Sequence, residues 1–413
     1  MTISLHEALR SSPWSGLPGP STAEGWIARA RQVAAILSVD AVERDRAGRT
    51  PTAEVRLLKD SRLTVVLGPA AHGGGGQSWT TALRVIRAVS AGDGSIGQLL
   101  GYHLLWAWAA RLVGTDGQIE AVEELYTSHN LFFGGAVNPR DADLTVRDRG
   151  ETLEFSGRKS FSTGARVSDL LVLEGAFAAS GEHVFAIVPT DQEGIRFLGD
   201  WDNLGQRLTE SGGVDIDGVE VPWASAAGFV DKTFRSLVYN TLNVPLIQQI
   251  FTSIYLGIAE GALATALAYT RDKTRPWPYG SAPQESAAEE WYILETYGDL
   301  QSRLWSAQAL ADSVDAELAG LLHARRETVT ERARGEVAVR IAASKQVAAA
   351  AALDTAHRIF EVTGARATSN AVGLDIFWRN IRTHSLHDPV AYKRREVGEF
   401  VLSDRIPEPS WYT

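Results

Sequence analysis

Between Arg382 and Pro389 the chain reads Arg-Thr-His-Ser-Leu-His-Asp-Pro, which places His384, His387 and Asp388 almost side by side near the C-terminus. Imidazole is the side chain whose ordinary pKa lets it give and take a proton near neutrality, and an adjacent carboxylate can fix its tautomer. The residues before it, Phe377 to Arg382, carry a helical pattern, and Pro389 closes the segment, so it reads as a helix end running into a turn. Three roles suit these residue types. Two histidines and a carboxylate can form a facial metal triad, can do acid–base work, or can cap a helix C-terminus, where a cation is favoured. The tight spacing and the absence of an obvious second shell weigh against a metal. Two imidazoles beside an acid are more than a cap requires. Acid–base chemistry is the favoured reading, and no metal is expected.

The elements that must position this segment follow from the rest of the chain. Its 413 residues exceed one compact core and suggest two or three domains. A hydrophobic content of 45% with 22% charged residues is ordinary for a globular protein, and the net charge of -10 argues against nucleic acid or an anionic membrane as partner. The absence of cysteine excludes disulfides, thiolate nucleophiles and Cys-ligated metals. No apolar run is read as long enough to span a membrane and no signal-peptide core is seen, which makes the cytoplasm the expected compartment. Twelve tryptophans exceed what a core needs and suit a pocket for a planar ligand.

The hydrophobic period divides the chain into three. Residues 1–126 read as a helical domain, with apolar residues at helical spacing over Trp26–Asp45 and Thr80–Ala91. Residues 127–236 read as an antiparallel β domain. Its expected strands are Leu131–Val137, Glu151–Phe155, Asp169–Glu174, His183–Pro189 and Val214–Val221, between turn clusters such as Asn138-Pro139-Arg140-Asp141. Residues 237–413 read as a four-helix bundle, with helices over Leu246–Arg271, Trp291–Arg325 and Val329–Thr363 and one after Asp375. The class is α+β, mainly α. Gly92-Asp93-Gly94-Ser95-Ile96-Gly97 fits a dinucleotide fingerprint, but a helix rather than a strand precedes it, so it reads as a helix end followed by a new N-cap. Gly73 to Gly76 lacks the Gly-Lys-Ser/Thr ending of a phosphate loop and reads as a flexible connection. Lys345, Arg325 and Arg326 read as solvated charges.

The helix–β–helix order resembles the acyl-CoA dehydrogenase fold. Gly157 to Ala165 with Ser168-Asp169, Gly205 to Gly212, Ala268 to Arg271 with Arg275, and Phe360 to Gly364 are similar to successive motifs of that fold, and the likeness covers essentially the whole chain. Where its dehydrogenases carry a Tyr-Glu-Gly-Thr turn with the catalytic glutamate, this chain has His387-Asp388-Pro389-Val390. A shorter carboxylate on a stiffer turn is poorly suited to taking a proton from a carbon held against flavin. Arg382 to Val390 resembles instead the corresponding loop of the dibenzothiophene monooxygenase group, with its indole-oxidising relatives. Gly101 to Leu104, Gln249 to Phe251, Tyr255 to Ala259 and Arg275-Pro276-Trp277 are similar to that group as well.

That resemblance implies an enzyme using reduced flavin (FADH2 or FMNH2) and O2 through a C4a-hydroperoxyflavin to oxygenate a planar heteroarene. The flavin would come from a separate NAD(P)H-dependent reductase, and the assembly would be a homotetramer. It implies His387 as proton donor, with Asp388 fixing its tautomer and His384 steadying the peroxide. Ser162 and Thr163 would hold the flavin edge, Phe161 and Trp201 would wall the ring, and Arg271 and Arg275 would meet its phosphate. Gln98, Tyr102, Gly135 and Phe251 would shape the substrate pocket. Gly135, Thr163 and Gln98 stand where the sulfur-oxidising members have asparagine, serine and histidine, which turns the expectation toward an indole-type substrate as much as a thiophene. The competing readings are a true acyl-CoA dehydrogenase with Asp388 as base, an N-oxygenase of an amino-sugar on the same fold, and a non-catalytic helical scaffold.

Overall fold

The computed structural model describes residues 3–138, 143–280, 284–410 and 413, so the turn cluster expected at 138–141 lies largely outside the described residues. Eight helices come first: α1 (Leu5–Arg10), α2 (Ala23–Ser38), α3 (Ala41–Ala47), α4 (Thr52–Asp60), α5 (Trp79–Gly92), α6 (Gly94–Ala107), α7 (Ala109–Val113) and α8 (Asp116–His129). The strands are β1 (Phe133–Ala136), β2 (Leu144–Asp148), β3 (Thr152–Lys159), β4 (Leu170–Phe177), β5 (His183–Pro189), β6 (Ile195–Phe197), β7 (Val214–Pro222), β8 (Phe229–Val230) and β9 (Thr233–Phe234). Five helices close the chain: α9 (Asn243–Asp272), α10 (Trp291–Leu322), α11 (Glu331–Thr363), α12 (Asp375–His384) and α13 (Val390–Ser403).

The Gly92–Gly97 segment is the α5–α6 junction, as its helical surroundings imply. Asp93 caps α6 by accepting from the backbone N–H groups of Ser95 and Ile96 at 3.0 and 3.3 Å, and it pairs with Arg44 at 2.8 Å. The stretch read as helical over Trp26–Asp45 is two helices, α2 and α3, and the last helical region is likewise two, α12 and α13, with the His–Asp–Pro turn between them. Apolar periodicity continues across such corners because both helices face one core.

The large sheet is mixed rather than antiparallel. Its order is β1-β4-β2-β3-β7-β6 with β5 also on β4, and both β1 and β2 run parallel to β4. Residue alternation shows which face a strand buries but not its direction, and the β2 strand between the two was not recognised. One apolar core runs through the N- and C-terminal helices together, while the sheet encloses a second. The region 238–272 is long and apolar enough to cross a membrane, contrary to the sequence reading. It is mostly buried against other helices and is a core helix.

Gly73 to Gly76 is not a flexible link. The N–H groups of Gly74, Gly75 and Gly76 donate to the carbonyls of Pro69, Val65 and Gly68, at 3.0, 2.8 and 2.8 Å. A Cβ at Gly74 would lie 2.2 Å from the Gly68 carbonyl oxygen. Gly74→Ala is therefore expected to destabilise the fold by about 1–3 kcal/mol. A urea-unfolding midpoint equal to that of the parent chain would show that the backbone yields instead.

Candidate active site

Helix α6 presents Gln98, Tyr102 and Trp106 at four-residue spacing, one above another on a single face. They line a cavity of about 420 Å³ together with Phe161, Thr163 and Trp201 from the β domain and His384 and His387 from the turn after α12. The start of α9 closes it through Val244, Ile247 and Gln248. The N-terminal helices, the sheet region and the C-terminal helices thus converge on one space, and among the described residues none that lines it is lysine or arginine.

The β-domain wall is built by two loops tied to each other. Ser162 and Gly164 donate backbone hydrogen bonds to Gly212 and Thr209, at 3.1 and 3.0 Å. Between them a row of hydroxyls forms: Thr163 Oγ1 lies 2.8 Å from Ser211 Oγ, and Ser211 Oγ lies 2.8 Å from Thr209 Oγ1. Ser162 Oγ is buried without a partner. Phe161 is held at φ 54° and is 63% exposed, with its ring edge-on to Trp201 at 6.0 Å. Backbone strain of this kind in a bulky residue is tolerated where surroundings impose it. Trp201 Nε1 donates to the Gln206 carbonyl at 2.8 Å, and Asn380 Oδ1 of α12 accepts from Gln206 N–H at 2.7 Å, which joins this wall to the histidine turn.

His384 is buried at the end of α12. Tyr255 of α9 donates its hydroxyl proton to the His384 carbonyl at 3.3 Å, and the phenol oxygen lies 3.0 Å from His384 Nδ1. That pairing puts the imidazole proton on Nδ1 and leaves Nε2, buried and without a partner, as an acceptor. Burial first, then the neighbouring His387 and Lys345, hold His384 well below the usual imidazole range, so it is neutral at pH 7. Tyr255 and Tyr102 are pushed up by burial and by the Asp388 charge, and both stay protonated. His387 is partly exposed, with Nδ1 3.4 Å from Asp388 Oδ1. Phe251 wedges against both histidines, with ring centroids 4.5 Å from His384 and 4.8 Å from His387.

Asp388 itself is buried and forms a close ion pair with Lys345 of α11. Burial alone would raise this carboxyl. The hydrogen bond with His387 and the Lys345 ammonium outweigh it and hold Asp388 far below the usual carboxylate range. Burial in turn lowers Lys345 to about 8, against the pull of Asp388. Lys345 was read from sequence as a solvated charge; it is 1% exposed and anchors the turn. Arg326 is not simply solvated either, since it donates to the Gly114 carbonyl at 2.6 Å.

Of the residues singled out from sequence, the cavity brings together Gln98, Tyr102, Phe161, Thr163, Trp201, His384 and His387. Ser162, Phe251 and Asp388 stand immediately behind that wall. Gly135 lies beneath Trp106, where a Cβ would come 2.5 Å from the indole Nε1. Arg271 and Arg275 are not brought to it: at 1.5 Å per residue Arg271 lies roughly 35 Å along α9 from Gln248, and Arg275 follows beyond the end of that helix.

A dibenzothiophene monooxygenase of Mycolicibacterium goodii is 39% identical to this chain, covering 92% of it and 94% of that protein. The chain belongs to that family of flavin-dependent monooxygenases. Residues 249–391 also match the family model "Acyl-CoA dehydrogenase, C-terminal domain", which agrees with the order of helices and strands. Two solved structures of related monooxygenases superpose on it. A methanesulfinate monooxygenase from Pseudomonas fluorescens does so with a TM-score of 0.90 at 36% identity, over 94% of this chain and 99% of that one. The enzyme TdsC from Paenibacillus sp. A11-2, in complex with FMN and indole, gives a TM-score of 0.89 at 35% identity, over 94% and 99% of the two chains.

The residues of this monooxygenase fit a flavin on their own chemistry. An unpartnered buried hydroxyl, a row of further hydroxyls and two aromatic rings at one wall suit a flat ring with a polar edge. Four residues of the site were missed from sequence as functional: Lys345, Tyr255, Trp106 and Ser211. Trp106 carried a signal, the four-residue spacing from Gln98 and Tyr102. Lys345 carried none, because a lysine in an alanine-rich helix looks like any surface lysine.

Proposed function

We propose that the chain is a two-component monooxygenase that takes reduced FMN from a separate NAD(P)H-dependent flavin reductase and oxygenates a neutral, planar heteroarene of the indole or benzothiophene class. The observation that carries this reading is the cavity itself. It has aromatic walls, a neutral His384 with an unpartnered Nε2, and, among the described residues, no cationic side chain in its lining. A relative described as a probable FMNH2-dependent monooxygenase, and another solved with FMN and indole, support the choice of cofactor and substrate class. Reduced flavin, when bound, supplies the two electrons that divide O2, one oxygen atom going to the substrate and the other leaving as water.

The chain's own residues have three tasks. Ser162 and Thr163 offer hydroxyls to the flavin edge, while Phe161 and Trp201 cover the ring and keep water out. His387 gives a proton, oriented through Nδ1 by Asp388; His384 accepts a hydrogen bond at Nε2. Tyr102 and Gln98 face the substrate from α6. Asp388 is a poor base for a dehydrogenase, being buried, paired and held far below the usual carboxylate range.

We also propose a homotetramer acting in the cytoplasm, where a reductase finds NAD(P)H. Support for assembly comes from α10, which leaves Trp291, Leu294 and Trp305 exposed along its length. In such an assembly Arg271 and Arg275, far from their own cavity, would reach the flavin phosphate of a neighbouring subunit. The test supplies reduced FMN, 18O2 and a panel of indoles and benzothiophenes. Singly labelled product is expected; peroxide alone from the whole panel would end the substrate assignment.

A further inference from the structure

Trp106 lines two spaces at once. Besides the site cavity it borders a second chamber of about 530 Å³, bounded by α7 and α8, by β4 and β5, and by the segment that leads into α9. That chamber is strongly apolar: Leu125, Val172, Phe185, Ile187 and Phe229 are among its walls. Among the described residues, only Trp106 and Asn243 belong to both spaces. The Trp106 indole is buried and its Nε1 has no hydrogen-bond partner, as is also the case for Trp26, Trp79 and Trp108.

The indole can stand there only because residue 135 is glycine. Gly135 sits on β1, opposite Val172 of β4, and its Cβ would lie 2.5 Å from Trp106 Nε1 and 2.6 Å from Cε2. The side-chain volume absent at position 135 is thus taken up by the tryptophan. The site cavity must hold the flavin ring and the substrate together, so the room left beside Trp106 is small.

We infer that Trp106 is a specificity-determining partition: it closes the active cavity from the second apolar chamber and restricts the enzyme to two-ring heteroarenes. The chamber is the space into which a third ring would extend were the partition removed. This inference rests on the aromatic-substrate reading above, with Gly135 as the residue that permits the partition.

The test separates the two. With oxidised FMN held at saturation, binding of indole and of the three-ring probe 1-aminoanthracene is measured by titration calorimetry for the parent chain, Trp106→Ala and Trp106→Leu. Opening the chamber lets a further ring leave water, so the Ala variant should bind the three-ring probe about tenfold or more tighter than the parent. The Leu variant should fall between, and the ratio of three-ring to indole affinity should rise in both variants. Gly135→Ala should alter probe binding in the parent background and have much less effect in Trp106→Ala, where the three atoms nearest to the added methyl group are gone. Unchanged three-ring affinity in a folded Ala or Leu variant overturns the partition. Absence of any oxygenated product from the parent chain would overturn the function reading alone, since the binding comparison does not depend on turnover.

Discussion

A Lys345→Met variant is expected to lose about 3–5 kcal/mol of stability, because it leaves Asp388 a buried charge without its cation. Adding Asp388→Asn to that variant should recover most of the loss, since the pair is then removed together. Stability can be restored in this way without restoring function, because the turn no longer has its anchor and His387 no longer has its carboxylate. Urea unfolding reads the first effect, and product formed per flavin oxidised reads the second. A Lys345→Met chain as stable as its parent would show that the pair contributes nothing.

The same pair sets a pH dependence. Folding lowers Lys345 from 10.5 to about 8. Between those values the unfolded chain keeps a proton that the folded chain has released, so this lysine's contribution to stability rises with pH across that window. The ion pair is lost over the same range. Coupled oxygenation should therefore decline above about pH 8 although the fold does not weaken on this account. Asp388 shifts in the same direction, far lower on the pH scale; its contribution is present above the ordinary carboxylate value and is lost as the pH falls below that value into strong acid. Lys345→Arg, which keeps its charge, should move the alkaline limb upward. A limb that stays in place would assign the decline to another group.

His387→Ala is expected to lower oxygenated product by about 10²–10⁴-fold, the range that a positioned proton donor supplies. Flavin oxidation should continue, with hydrogen peroxide as its product, because the flavin-binding wall at Phe161, Thr163 and Trp201 is untouched. The loss should thus appear in coupling rather than in flavin affinity. Tyr255→Phe makes a useful companion, as it removes the hydroxyl that orients His384 without touching His387. If His387→Ala retains coupled turnover while His384→Ala loses it, the donor is His384.

Much of this could be read from the chain alone. The hydrophobic period separated helices from strands, and the Gly92–Gly97 junction was recognised because a cap is a local device written in neighbouring residues. The His384–Pro389 turn was legible as a candidate site because its titratable groups are concentrated in one short segment. Strand direction was not legible, since alternation is the same whether a neighbour runs parallel or antiparallel. Nor were the corners that divide α2 from α3 and α12 from α13, where one apolar face continues.

The sequence by itself determined the kinds of groups available: two imidazoles and an acid in one turn, hydroxyls at Ser162 and Thr163, and an aromatic surplus. Tertiary structure alone decided which of them meet. It brought Lys345 from α11 to Asp388 and Tyr255 from α9 to His384, and it laid the Trp106 indole over Gly135. These pairs are separated by tens of residues, and their energies depend on burial. An ammonium beside a carboxylate is nearly neutral to stability in water but holds a turn in place once both are taken out of it. No local pattern records that difference, because it belongs to the space around the residues rather than to their order.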